Sequence, residues 1–360
     1  MRAPTAAVPA TLAAVFLLLC GCIPSLHTPY EAGPWLRPPA PVAVAFNPRP
    51  PLADIGLELL RERSDGYAVY AFDVPSVGFN RQPGNRVRGR YYRSSKGGKR
   101  PLLVLLPIWG SSTYPVMTTV RHLLHGPSAG SLDLVVLEGK RHLFDLRAMA
   151  HAGNEAAVEE EIQRLVRSLQ ATVTDIRRLI EWGRRQPEID PRRIGIVGYS
   201  VSAVVAGLVI GLEPRLAAGA LVMTGGHLGE ILEHCSTDPN RVRRGLERRL
   251  GWSAEEMRRK LAPFLDTYHP VRFAGAVDPA SVLFIEAARD GCMTAADRKR
   301  YWQALGRPER ITIGWTHRLS FLSMTPLGGH ATTRKIVDFL HRRLVAPGSG
   351  GTMQMAVSGG

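Results

Sequence analysis

The sequence predicts an α/β fold with a mostly parallel, doubly wound sheet. Short apolar runs that suit strands alternate with longer segments in which apolar residues recur at helical spacing. The unbroken apolar run 101–107 (PLLVLLP) predicts a central parallel strand buried on both faces. In 155–185, Ile, Leu and Val recur every three or four residues with charges between them, which predicts a long amphipathic helix. Strands that alternate with helices in this way favour helices packed on both faces of a parallel sheet.

The remaining elements follow the same alternation. Segments 67–77 and 86–94 predict two strands joined at the turn residues 82–85. Further strands are predicted at 132–137, 193–199, 217–224, 281–287 and from 311 to 315, with helices at 201–212 and 331–345.

The first 22 residues carry an export signal. Arg2 precedes an apolar stretch, 11–19, that is too short to span a bilayer. The sequence Leu19-Cys20-Gly21-Cys22 then resembles a bacterial lipobox, which implies removal of residues 1–21 and lipidation of Cys22, with palmitate among the acyl chains. The alternative is an ordinary secretory signal cut nearby. In both cases the chain leaves the cytoplasm, and a lipobox places it in the cell envelope, on the periplasmic or other extracytoplasmic side of a bacterial membrane.

Composition divides the rest of the chain. Residues 22–60 are rich in proline and small residues and predict an extended tether, whereas 347–360 predict a disordered tail. Between them, 61–346 predict one catalytic domain. Within it, 225–276 interrupts the alternation with an arginine-rich, helical insertion whose place in the chain predicts a lid over the sheet. A solvated surface excursion is the alternative.

The net charge of +15 raises the question of nucleic-acid binding. The sequence has no zinc-type Cys/His spacing, and its aromatic residues, 7% of the chain, do not interleave with a basic strip. We therefore expect no nucleic-acid partner and interpret the charge as attraction to anionic lipid headgroups or as a solvated surface. Cys235 and Cys292 could pair in an oxidising compartment or remain two buried thiols.

The segment 193–202 (RIGIVGYSVS) singles out one serine. A β-branched strand runs directly into Gly198-Tyr199-Ser200-Val201-Ser202 and then into a predicted helix. A turn this sharp needs small residues around it and exposes the central serine above the sheet, which makes Ser200 the candidate nucleophile. The fifth residue of this turn, Ser202, is a serine where glycine is usual. The alternative to a nucleophile turn is an ordinary buried turn between a strand and a helix.

From about residue 87 to residue 344, the chain resembles α/β-hydrolases of the dienelactone-hydrolase and acyl-peptidase-like kind. The segments that carry the likeness are 189–195 (IDPRRIG), the strand that leads to Asp290, and Gly328-Gly329-His330. The resemblance implies the α/β-hydrolase fold, a triad in the chain order serine, acid, histidine, and hydrolysis with no metal or cofactor.

Asp290 follows the predicted strand 281–287, at the strand end where catalytic groups gather in parallel sheets. Two late histidines are candidates for the base. We prefer His330, because a loop histidine before the closing helix can reach the top of the sheet, and we interpret His317, on or near the last strand, as structural. The oxyanion would be held by the backbone N–H of Val201 and of Trp109 in the loop after 101–107.

These observations predict a cell-envelope serine hydrolase that cleaves small-molecule or lipid-like carboxylic esters through an acyl-enzyme. Two alternatives stay open: a peptidase or amidase on the same triad, and a catalytically silent envelope protein that kept the fold.

Overall fold

The computed structural model describes residues 24–31, 46, 55–63, 66–77, 85–108, 114–139 and 145–346. The predicted export signal with Cys22, most of the predicted tether, Trp109 and the predicted tail 347–360 lie outside the described residues. Among the residues described, no helix has the length and apolar content needed to cross a membrane.

One sheet organises the described chain. In chain order its strands are β1 (Ser25–Thr28), β2 (Glu58–Arg63), β3 (Tyr67–Pro75), β4 (Arg86–Ser94), β5 (Arg100–Leu105), β6 (Asp133–Leu137), β7 (Ile189–Tyr199), β8 (Ala218–Val222), β9 (Val282–Arg289) and β10 (Glu309–Thr316). Their spatial order is β1-β10-β9-β8-β7-β5-β6-β4-β3-β2. The six strands from β10 to β6 run parallel to one another, whereas β1 at one edge and β4, β3 and β2 at the other pair antiparallel.

Helices connect the strands. They are α1 (Tyr114–His125), α2 (Arg147–Ala150), α3 (Glu155–Arg185), α4 (Val201–Leu212), α5 (Leu228–His234), α6 (Asp238–Leu250), α7 (Ala254–Leu265), α8 (Ala295–Ala304), α9 (His317–Ser320) and α10 (Ala331–Leu340), with 3₁₀ turns at Asp266–Tyr268, Pro270–Ala276, Pro279–Ser281, Phe321–Met324 and Pro326–Gly328 and a π-helical turn at His341–Val345. The predicted α/β class is confirmed, and α3, α4 and β4 begin and end at the predicted residues.

Strand β5 shows why the central strands read as unbroken apolar runs. Successive side chains of a strand point to opposite faces, and β5 is covered on both. Leu102 and Val104 join the core beneath α3 and α4, whereas Leu103 and Leu105 join the core beneath α1 and α10. Every residue of the strand is buried, so no polar alternation remains in its sequence.

Two edge strands lie in segments without a strand pattern. Ser25–Thr28 falls in the predicted tether, yet it pairs with β10 as β1, and three of its four residues are exposed. Glu58–Arg63 (ELLRER) straddles the predicted end of the tether and pairs with β3 as β2. Backbone hydrogen bonds to an open sheet edge can form these strands without a buried face, so the tether prediction is wrong at these residues.

The segment 225–276 contains α5, α6 and α7 together with two of the 3₁₀ turns. These helices share a small hydrophobic core with the first half of α3, and Ile162 of α3, Leu246 and Met257 all belong to it. The Ser253 side chain accepts a hydrogen bond from the N–H of Glu256 and begins α7. The function of this insertion as a lid stays a prediction.

Candidate active site

Ser200 lies in the sharp turn between β7 and α4. Its backbone has φ 55° and ψ −121°, a region that residues other than glycine rarely adopt. Its N–H donates to the carbonyl of Val222 at 2.8 Å, which ties the turn to the carboxyl end of β8. The turn lifts the serine side chain above the sheet edge, as the sequence predicted.

The residues around Ser200 explain the sequence of the turn. A Cβ at Gly198 would lie 2.3 Å from the carbonyl oxygen of Ser202, so only glycine fits there. Ser202 itself is fully buried, and its Oγ accepts from the N–H of Tyr199 at 2.7 Å and lies 3.0 Å from the Tyr199 carbonyl. Serine at the fifth position therefore holds the two ends of the turn together, which glycine could not do.

Asp290 directly follows β9, and its carboxylate is fully buried. Oδ1 accepts hydrogen bonds from the backbone N–H groups of Cys292 at 2.8 Å and Met293 at 3.1 Å. Burial acts to raise the pKa of Asp290, but the hydrogen bonds from His317 and from these two N–H groups outweigh it and leave the pKa below its ordinary value. The group is thus held as a carboxylate at neutral pH.

His317 connects Ser200 to Asp290. Its Nε2 lies 2.9 Å from Ser200 Oγ, and its Nδ1 lies 2.7 Å from Asp290 Oδ2. The residue directly follows β10, so all three side chains stand just beyond the carboxyl ends of parallel strands: β7, β9 and β10. A donor–acceptor chain of this kind lets the histidine take the serine proton while the carboxylate fixes its ring.

The expectation that His330 would contact Ser200 is wrong. His330 directly precedes α10 and has φ 54°; its Nδ1 lies 2.8 Å from the carbonyl of Met324, and its ring packs 4.7 Å from that of His122 on α1. In the structure His330 therefore contacts Met324 and His122, whereas His317 contacts Ser200. The signal for His317 was available: it follows a strand of the parallel sheet, which is the argument that selected Asp290.

Of the two predicted oxyanion donors, the structure describes Val201 but not Trp109. Val201 is the first residue of α4, and the first N–H groups of a helix have no acceptor within the helix, so its N–H is available above Ser200. Trp109 lies outside the described residues, but Ile108, just before it, follows β5, the neighbour of β7 in the sheet. Ile108, the last described residue before Trp109, therefore follows the strand that lies next to the one leading to Ser200.

A disulfide bond joins Cys235, at the end of α5, to Cys292. Because the N–H of Cys292 donates to Asp290, the bridge fixes the insertion to the loop that holds the carboxylate. Of the two possibilities left open by the sequence, the structure shows the pair.

Three further residues, His227, Glu230 and Asp297, have donor atoms within 4.8 Å of one another and are the candidate metal ligands among the residues described. They already bind protein groups. The His227 ring lies 2.6 Å from Asp297, and Glu230 accepts from Thr294 at 3.0 Å and pairs with Arg300. These contacts attach the insertion to α8, and none of the three residues contacts the Ser200–His317–Asp290 set in the described structure.

No protein-family model matches the chain, and no curated protein matches it. Solved structures do. The acetyl xylan esterase from Paenibacillus sp. R4 superposes with a TM-score of 0.58 at 15% identity, over 80% of this chain and 89% of that one. Acetyl xylan esterase 1 from Thermoanaerobacterium sp. JW/SL YS485 gives a TM-score of 0.54 at 13% identity, over 77% and 88%. The acylaminoacyl peptidase of Pyrococcus horikoshii gives a TM-score of 0.52 at 16% identity, over 79% of this chain and 43% of that one.

At these identities the likeness concerns the fold. The ten-stranded sheet with its parallel centre, the sharp turn at Ser200 and the superpositions together show that the chain has the α/β-hydrolase fold.

Proposed function

We propose that this chain is a serine hydrolase that cleaves carboxylic esters. The hydrogen-bonded chain from Ser200 Oγ through His317 to Asp290, with steps of 2.9 Å and 2.7 Å, carries the proposal. Three residues far apart in sequence meet in this order at one edge of the sheet, which a protein that kept only the fold would have no reason to preserve.

The geometry sets the steps of the reaction. Ser200 Oγ attacks the acyl carbon while its proton passes to His317 Nε2, and Asp290 stabilises the imidazolium through Nδ1. The tetrahedral oxyanion is held by the N–H of Val201 and by a second donor from the loop after β5, for which Trp109 is our candidate. When the intermediate collapses, the bond to the alcohol oxygen breaks and His317 returns the proton to that oxygen. Water then attacks the acyl-enzyme along the same path and releases the acid.

The comparisons support an ester rather than an amide substrate. This chain spans 89% and 88% of the two acetyl xylan esterases but only 43% of the acylaminoacyl peptidase. A peptidase of that kind carries a large part for which this chain has no counterpart in the alignment. We therefore place carboxylic esters first and peptides or amides second.

We further propose that the enzyme works in the cell envelope, attached to a bacterial membrane through lipidated Cys22. The export signal and the sequence Leu19-Cys20-Gly21-Cys22 support this location. The disulfide between Cys235 and Cys292 supports it as well, because such bonds persist in oxidising compartments outside the cytoplasm. Growth of cells with a clickable palmitate analogue should label the wild-type chain and leave Cys22→Ser unlabelled; equal labelling of both would contradict the anchor.

A fluorophosphonate probe tests the catalytic proposal, because it labels only an activated serine. The purified chain is compared with Ser200→Ala, His317→Ala and His330→Ala. We expect labelling of the wild type, none of Ser200→Ala, a loss of about 10³-fold or more in labelling rate for His317→Ala, and little change for His330→Ala, the matched histidine control. A folded wild-type chain that stays unlabelled would overturn the proposal and favour a silent envelope protein.

A further inference from the structure

Exposed leucines cluster directly after His317. The segment 317–328 consists of α9 and the 3₁₀ turns at Phe321–Met324 and Pro326–Gly328. Within it Leu319 is 50% exposed, Leu322 38% and Leu327 59%. Of the seven large apolar side chains exposed in the described residues, three therefore lie within nine positions of one another, next to the candidate base.

Part of this segment buries polar side chains and exposes apolar ones, which folding alone does not favour. Ser320 and Ser323 are buried, whereas Leu319 and Leu322, three residues apart on one side of the turn, face solvent. The buried Ser320 Oγ has no hydrogen-bond partner in the described structure, which costs free energy. Met324 and Phe321 hold the segment to the core, whereas Leu319 and Leu322 add little to that packing, so these exposed leucines fit a partner that offers an apolar surface.

The start of the described chain lies beside the same segment. The Pro24 carbonyl, directly before β1, accepts a hydrogen bond at 2.7 Å from the N–H of Gly314, which lies near the carboxyl end of β10. Gly314 precedes His317 by three residues. The described chain therefore begins beside the part of β10 that leads into His317 and the leucine segment.

The charges around the segment match an anionic surface. Arg318, Arg334 and Arg289 are exposed, and Arg289 stands opposite Thr316 in the sheet register. The nearby Asp290 carboxylate is fully buried, and the chain as a whole carries +15. Exposed leucines among arginines suit the boundary between headgroups and acyl chains, where apolar and basic side chains are both stabilised.

We propose that segment 317–328, which begins at the candidate base His317, docks on an anionic lipid bilayer, with Leu319, Leu322 and Leu327 entering the acyl boundary and the active site lying next to the lipid. The evidence for docking is the exposed leucines, the exposed arginines and the position of Pro24 beside β10. Its consequence for substrate choice, an ester held in the bilayer rather than dissolved in water, rests on the proposed function.

A site-specific fluorophore tests the docking without using activity. The full chain carries Cys20→Ser and Cys22→Ser, so that with Cys235 and Cys292 in a disulfide the environment-sensitive label NBD attaches only at a new cysteine. Leu322→Cys is compared with Leu60→Cys, a half-exposed leucine of β2 at the opposite edge of the sheet. Vesicles of phosphatidylcholine and phosphatidylglycerol should shift the emission of the label at position 322 to the blue, nitroxide lipids should quench it, and the label at position 60 should do neither.

Three results would overturn the docking: no response at position 322, equal responses at both positions, or a blue shift that appears without vesicles and grows with protein concentration, which would mean that the face pairs with a second copy.

An activity comparison tests the substrate class. The triple variant Leu319→Ser, Leu322→Ser, Leu327→Ser should lose about tenfold or more in activity on an ester held in vesicles and keep its activity on a soluble short-chain ester. The control variant Leu59→Ser, Leu60→Ser should keep both activities. Equal losses on both esters, or no loss on either, would contradict the inference. If the wild type cleaves neither ester, the proposed function fails, and the fluorophore still decides the docking.

Discussion

Replacement of Asp290 by asparagine tests how the carboxylate acts on His317. In the wild type, Oδ1 accepts two backbone hydrogen bonds and Oδ2 accepts the Nδ1–H of His317. An asparagine carbonyl must take the place of Oδ1, because the two backbone N–H groups can only donate. The amide NH₂ then faces Nδ1, so the neutral imidazole carries its proton on Nε2 and can no longer accept the proton of Ser200. We expect kcat/KM to fall about 10⁴-fold, equivalent to about 5 kcal/mol of transition-state stabilisation, with little change in shape.

The assay is the hydrolysis of p-nitrophenyl acetate by wild type and Asp290→Asn at pH 7, with circular dichroism to verify folding. Asp266→Asn is the matched control, because Asp266 also lies against a histidine, His269, at 3.1 Å but takes no part in the triad. Its kcat/KM should stay at the wild-type value. An Asp290→Asn enzyme within about tenfold of the wild type would refute the argument that the carboxylate sets the histidine tautomer.

Three further predictions concern stability. Burial raises the pKa of Asp290, but its hydrogen bonds lower it more strongly. The ionised group therefore stabilises the fold above the ordinary carboxyl pKa of about 3.9, and this stability is lost as the pH falls through the lower folded value. In urea unfolding below about pH 4, the free energy of unfolding of Asp290→Asn should depend less on pH than that of the wild type, and an equal dependence would contradict this. Gly198→Ala should cost about 2–3 kcal/mol and abolish probe labelling, because its Cβ would lie 2.3 Å from the Ser202 carbonyl oxygen; a stable, labelled variant would contradict the tight turn. Removal of the bridge in Cys235→Ala, Cys292→Ala should cost about 2–4 kcal/mol, given the separation of 57 residues, and dithiothreitol should destabilise the wild type but not this variant.

The sequence was a good guide wherever a local pattern reflects burial. The run 101–107 predicted β5, and the spacing in 155–185 predicted α3 from its first residue to its last, because both are dictated by the faces these elements bury. Ser200 could be singled out for a related reason: a strand, a small-residue turn and a helix must follow one another directly, and Gly198 is required by a close backbone approach.

The misses have a different physical origin. Strands β1 and β2 take their stability from backbone pairing at open edges, so neither Ser25–Thr28 nor Glu58–Arg63 shows an apolar period. His317 was set aside because strand ends are uncertain by a residue or two in sequence, and that uncertainty decides whether a histidine lies in the strand or just beyond its carboxyl end. Its contacts with Ser200 and Asp290 bring together residues far apart in the chain, which no local pattern encodes.

The pairing of β1 with β10 has a consequence for the order of folding. The first strand of the described chain needs the last strand as its partner, so this edge of the sheet can close only after nearly the whole polypeptide has been made. Such distant pairing raises the contact order and slows folding, which is consistent with the proposed export of the chain in an unfolded state. Until β1 docks, the outer edge of β10 offers unpaired N–H and C=O groups to any other strand. A shortened form that begins after Thr28 would keep that edge open permanently, and we expect it to aggregate during production while a form that retains Ser25–Thr28 stays monodisperse.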